Sequence, residues 1–215
     1  MPSRSIAHRL ESARLALHNA LAESELLAAL SQFGYDESRL QQGKSLYESA
    51  LALWQNQQQK QSRRRAASLA YSRVNAALTR AYMRSVKLCR ILYRADPLTY
   101  RALGLAGPRS TAFATRVAQM RLFYTTALGS PEILSTLAEY GFSESQLQAD
   151  FALVALLESA RSQREMESGE AQGATRSRKE ALSVLGRWMG DFAVIARLAL
   201  EESPQRMEML GLAGD

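Results

Sequence analysis

The chain has 215 residues, 47% of them apolar and 22% charged, which is ordinary usage for a folded chain with a core and excludes a disordered polyelectrolyte. Its 27 Lys and Arg against 21 Asp and Glu give a net charge of +6, so a polyanionic partner stays open as a function class. The single cysteine, Cys89, excludes an intramolecular disulfide and a cysteine-rich zinc site. Ala and Leu dominate the apolar set and there are only five prolines, which favours helix over sheet. Met1 to Leu10 lack an apolar signal core, and runs such as Phe192 to Ala196 are far shorter than the roughly 20 residues of a membrane span. The expectation is a cytoplasmic protein with no membrane association.

An internal period organises the chain. Leu103-Gly104-Leu105-Ala106-Gly107 recurs as Leu210-Gly211-Leu212-Ala213-Gly214, an offset of 107. The same offset sets Phe33-Gly34-Tyr35 on Tyr140-Gly141-Phe142, Glu37-Ser38 on Glu144-Ser145, Leu40-Gln41 on Leu147-Gln148 and Pro97 on Pro204. The expected domains are repeat A, 1–107, and repeat B, 108–215, fused into one bundle.

In chain order, a first helix is expected from about Ser5 to Leu21, with its counterpart from about Ser110 to Leu128. A short helix follows, from about Glu25 to Gln32. Its counterpart starts at Ser130 as N-cap with Pro131 in the first helical position. Gly34 and Gly141 read as C-cap glycines. Asp36 and Ser143 read as caps of the next helix, with Ser143 and Gln146 at capping-box spacing. That third helix is expected to end near Gln61 and a fourth to run from about Arg64 to Arg94. The apolar seam of the fourth is Ala67, Tyr71, Val74, Leu78, Ala81, Ser85, Leu88 and Leu92, matched in repeat B by Ala174, Arg178, Ala181, Leu185, Trp188, Phe192, Ile195 and Ala199. Between the third and fourth helices of repeat B, Glu165 to Thr175 contain Gly169 and Gly173 and read as a solvated loop. Pro97 and Pro204 open short closing helices that exit through the Leu-Gly-Leu-Ala-Gly tails. The expected fold class is all-α: two tandem copies of a helical unit of about 107 residues, packed as a pseudo-twofold, antiparallel four-helix-bundle-like core with extra helices.

Charge divides unevenly between the copies. Residues 1–107 carry 16 Lys and Arg against 7 Asp and Glu, a net +9; residues 108–215 carry 11 against 14, a net −3. The excess lies in Lys60, Arg63, Arg64 and Arg65 and in a stripe along the expected fourth helix, Arg73, Arg80, Arg84, Lys87 and Arg94. These nine are the candidate polyanion-binding residues. The bland alternative is a solvated flank, or pairing with acids such as Glu158, Glu165, Glu167 and Glu180. Helix-turn-helix, finger and RNA-binding-sheet patterns are missing, and aromatic residues do not interleave with the arginines.

Residues for catalysis are sparse. The two histidines, His8 and His18, fall on the first helix. His8-x-x-Glu11 lacks the second helix and further Glu of a di-iron bundle, so no metal site is expected. No phosphate loop, nucleophile elbow or catalytic triad pattern occurs, and no catalytic residue or cofactor is assigned. Cys89 aligns with Ala196 and reads as a small buried hydrophobe. Trp188 and Phe192 are candidates for lining a pocket between the repeats, though Trp54 and Trp188 also suit a core.

Trp188-Met-x-Asp-Phe-x-x-Ile-Ala-Arg, Gly169-Glu-x-Gln-x-Ala-Thr175, the aromatic-Gly-aromatic turns and the Leu-Gly-Leu tail together resemble a bacterial family of tandem helical-bundle proteins with no known function. The resemblance spans the chain and implies a helical bundle without implying an activity. In repeat A, Arg63 to Arg65 stand where that family's acidic segment would fall. The leading expectation is a non-enzymatic helical interaction or scaffold protein with a protein partner or a second copy of itself. The alternatives are nucleic-acid or polyanion binding through the basic first repeat, and small-molecule binding between the repeats.

Overall fold

The computed structural model describes residues 5–211; the tail positions Leu212, Ala213 and Gly214 lie outside that range. The described residues form eight helices and no strand: α1 (Ile6–Ala22), α2 (Ser24–Ser31), α3 (Glu37–Leu92), α4 (Pro97–Ala102), α5 (Phe113–Leu128), α6 (Pro131–Glu139), α7 (Glu144–Ala199) and α8 (Pro204–Met209). The protein is all-α. The bounds of α7 and α8 each lie 107 residues beyond those of α3 and α4.

Local chemistry sets the helix ends. Ser5 Oγ accepts from His8 N–H at 3.2 Å and Ser130 Oγ from Ile133 N–H at 3.3 Å, with Pro131 in the first turn. Asp36 accepts from Arg39 N–H at 2.9 Å, and Asp96 from Leu98 and Thr99 N–H ahead of Pro97. Ser143 caps α7 through Gln146 N–H, but the Gln146 amide donates to Asp150 at 2.8 Å instead of reaching back, so only half of the expected capping box forms. Three exits share one geometry. Gly34, Gly104 and Gly141 take φ of +79°, +62° and +80°. The next residue's N–H reaches back five positions: Tyr35 to Leu30, Leu105 to Tyr100 and Phe142 to Leu137, each at 3.1 Å. Tyr35, Leu105 and Phe142 are all buried, so each turn also drives an apolar anchor into the core.

The structure corrects one expectation. The expected third and fourth helices are one continuous 56-residue helix in both places, α3 and α7, and Glu165 to Thr175 are helical. No proline falls in either span, and proline is the residue that most strongly breaks a helix interior. Gly169 and Gly173 each cost about 1 kcal/mol relative to Ala. Burial of Ala171 and Ala174 on the same stretch of α7 offsets that cost.

The chain packs as two compact units. One comprises residues up to Ser62 and from Gly169 onward; the other is Arg63–Ser168. Each long helix therefore contributes its two halves to different units. In the first unit, the early part of α3 runs antiparallel to the late part of α7: Gly43 abuts Trp188, while Lys60 pairs with Glu170 at 2.5 Å. Leu17, Leu26, Leu30, Tyr35, Leu40, Phe192, Ala196 and Leu210 form its main core, and Leu10, Ala13, Ala50, Leu182 and Leu185 a second cluster. In the second unit, the late part of α3 runs antiparallel to the early part of α7, with Arg164 over Tyr71 and Arg84 over Phe142. Its core joins Leu78, Tyr82, Val86 and Cys89 to Phe123, Tyr124, Leu137, Leu147 and Leu157, and the first tail inserts Leu103 and Leu105 into it. Every seam position expected on the fourth helix, in both repeats, is buried or half-buried.

Helix continuity through 165–175 has a measurable consequence. A Cβ at Gly169 or Gly173 meets nothing within 4 Å, so Gly169→Ala and Gly173→Ala should each raise unfolding free energy by about 0.5–1 kcal/mol. Gly141→Ala also meets open space but must hold φ at +80°, and should lower it by about 1 kcal/mol. Urea denaturation of the three variants checks both signs; a neutral result at 169 and 173 would indicate a loop there.

Candidate nucleic-acid interface

The basic character of the chain is concentrated in one packing unit. Arg63–Ser168 contain 15 Lys and Arg against 8 Asp and Glu, a net +7. The remainder of the chain holds 12 against 13, a net −1.

Within the basic unit the arginines fall into two groups. One group is committed to structure. Arg109 donates to Tyr82 Oη at 2.8 Å and to the carbonyls of Gly104, Ala106 and Gly107, and Arg90 donates to Leu105 and Gly107, so both clamp the first tail. Arg116 donates to Asn75 at 2.7 Å, and Arg121 pairs with Glu158. Arg161 pairs with Glu165 at 2.8 Å and lies over the Phe113 ring.

The other group is the stripe. Arg73, Arg80, Arg84, Lys87 and Arg94 are all exposed, as are Arg63, Arg64 and Arg65. Among the described residues none of these eight pairs with a carboxylate; Arg84 alone has a charge-related contact, with its guanidinium 4.8 Å from the Phe142 ring centre. Of the acids expected to pair with them, Glu158 is engaged by Arg121 and Glu165 by Arg161, and Glu167 accepts from the Gln163 amide at 2.9 Å. Arg73, Arg80 and Lys87 recur every seven residues, about 10.5 Å apart along α3, a row of roughly 21 Å, and Arg94 follows in the turn beyond Leu92. Exposed Ile91 lies on the same line.

Near the start of this row, α3 and α7 frame a polar groove of about 500 Å³. It is lined by Arg64, Arg65 and Ser68 from α3 and by Arg164, Glu165 and Ser168 from α7. Three guanidiniums face one carboxylate that Arg161 already holds, so the groove keeps a local positive excess. Arg164 escapes sequence reasoning because nothing local in α7 marks it; only antiparallel packing brings it opposite Arg64 and Arg65. Lys60 does not join this surface. It belongs to the other unit, where Glu170 engages it.

The remaining candidates lie in the less basic unit. Trp188 and Phe192 stack at 5.4 Å, Tyr35 packs edge-on against the Trp188 ring at 5.6 Å, and Phe192 is fully buried. A Cβ at Gly43 would overlap the Trp188 indole, so these rings fill the space around them. His8 and His18 are both exposed on α1, and Glu11 is held by Arg14. Among the described residues no group of three or more His, Cys, Asp or Glu side chains converges, and no helix is long and apolar enough to cross a membrane. No protein family, curated protein or solved structure matches the chain.

Cys89 is fully buried in the core of the basic unit, and desolvation pushes its thiol up to about 12. Because the reactive species is the thiolate, Cys89 should resist a water-soluble thiol reagent at pH 8 in the native protein and react fully once urea unfolds it. Rapid stoichiometric labelling without denaturant would contradict that burial.

Proposed function

We propose that this protein is a non-enzymatic helical interaction module whose basic unit binds the phosphate backbone of nucleic acid. The reading rests on one observation: eight exposed Lys and Arg residues on the first half of that unit's sequence, 63–94, have no carboxylate partner among the described residues. An internally neutralised flank would leave fewer cations free, because nearby acids would pair with them. The surface offers cations and no row of exposed aromatic rings, which favours backbone tracking over base reading. Binding should therefore be insensitive to sequence. Descent of both halves from one duplicated unit, with pseudo-twofold packing, and kinship with the bacterial tandem-repeat family belong to the same proposal. So does a cytoplasmic location, where such a partner is found.

Fluorescence anisotropy with labelled single-stranded and double-stranded DNA and RNA, over a salt series, tests the proposal. Binding should weaken on a log–log plot by about 0.7 per phosphate neutralised on single strands and about 0.9 on duplex. Arg73, Arg80 and Lys87→Ala together should lower affinity at least tenfold and flatten that slope by roughly two to three. Arg63, Arg64 and Arg65→Ala should act in the same direction. Lys60→Ala should change little, since its charge is already matched. No binding at low salt, or binding indifferent to both triple variants, would sink the proposal.

A further inference from the structure

The first unit holds a cleft with a different chemistry. It lies between α1 and the first turns of α3 and encloses about 300 Å³. Leu17, Leu21, Ala22 and Tyr47 provide apolar walls, and Leu17 is only 2% exposed. Arg14, His18, Gln41 and Lys44 complete the lining. Glu11 holds Arg14 in a two-point pair at 2.7 and 3.0 Å, which fixes that guanidinium beside the cleft. Lys44 is exposed and has no acid partner among the described residues. Leaving His18 aside, Arg14 and Lys44 against Glu11 leave one net positive charge at the cleft.

The corresponding place in the other unit is filled differently. A shift of 107 residues takes Leu17 to Tyr124, Lys44 to Phe151 and Tyr47 to Val154. There the Tyr124 and Phe151 rings stack with centres 5.9 Å apart, and Tyr124 is fully buried. Two rings and a valine in that unit thus stand against one ring, an aliphatic side chain and an ammonium group at this cleft. The cleft is of aromatic size and has a cation beside it.

We infer that this cleft binds a small amphipathic monocarboxylate with an aromatic or branched aliphatic body. The apolar walls of Leu17, Leu21, Ala22 and Tyr47 indicate the shape of the body, and the single net charge indicates a monoanion over a phosphate dianion. The volume is about twice the roughly 150 Å³ that accommodates benzene, which suits a body of two fused rings. Lys44 would meet the carboxylate, and the Tyr47 and Leu21 side chains would cover the rings.

The probe is 2-naphthoate, with neutral 2-naphthamide as its isostere, titrated into the full chain and followed by calorimetry and by thermal shift. Naphthoate should bind saturably and at least tenfold more tightly than the amide. Lys44→Met should weaken naphthoate about tenfold and leave the amide unchanged. Leu17→Tyr with Lys44→Phe, which imports the residues of repeat B, should abolish both and leave the thermal midpoint equal or higher. Equal affinity for acid and amide, no saturable binding, or full binding in the filled variant would each overturn the inference. If the filled variant does not fold, the Lys44→Met comparison decides alone. Nucleic-acid binding should be untouched by either variant, so failure here and failure of the basic surface are read separately.

Discussion

The unbroken course of α3 and α7 is the constraint on which the rest of the structure depends. A helix of 56 residues cannot fold back on itself, so neither α3 nor α7 can bury the apolar seam of its own late half against its own early half. The early half of each is completed instead by the late half of the other. A proline near residue 62 and another near residue 169 would permit a hairpin in each helix and a different set of partners. The long helices have little independent stability in water, and what holds them is the burial of one face along their length. The buried and half-buried seam from Ala67 to Leu92, and its match from Ala174 to Ala199, carries that stabilisation.

Positions 107 residues apart differ as pairs. In one unit Gly43 makes room for Trp188; in the other the equivalent positions are Asp150 and Ala81, with the bulk redistributed. Leu17 and Lys44 stand against Tyr124 and Phe151, an exchange that leaves a cleft in one unit and a stacked pair in the other. The exposed stripe shows a further contrast. Arg80, Arg84, Lys87 and Ile91 correspond to Arg187, Asp191, Val194 and Leu198, so one copy presents cations where the other presents apolar and mixed-charge side chains. Interiors are packed too densely for one member of such a pair to change alone, whereas surface stripes change one residue at a time. The cores therefore differ by compensation, and the surfaces differ by charge.

The arginines show how composition alone misleads. A net +6 spread over 215 residues is unexceptional. Several arginines of the basic unit are committed to carbonyls and carboxylates: Arg109 and Arg90 satisfy the tail that carries Leu103 and Leu105 into the core, and Arg121 and Arg161 pair with Glu158 and Glu165. The field outside the unit comes from those left over. An exposed ion pair adds little stability, but it determines which charges remain available to a partner.

Much of the architecture was legible in the chain itself. Periodicity, capping residues and the 107-residue offset located the all-α class, the positive-φ glycines, the seam and Cys89, because each depends on residues a few positions apart. Local signals misled at one place. Two glycines and an acidic run in 165–175 look like a loop, yet helix propensity and flanking burial outweigh them. Which arginines are free, the meeting of Arg64 and Arg65 with Arg164, and the opening between α1 and α3 were beyond the sequence. These depend on which side chains face each other across packed helices tens of residues apart in sequence, and a one-dimensional pattern carries no distance across that gap. Sequence by itself determined the helices and their ends, since those are set by local hydrogen bonding and backbone conformation. Tertiary structure alone decided which half-helix completes which core, and therefore which charges and cavities remain for a ligand.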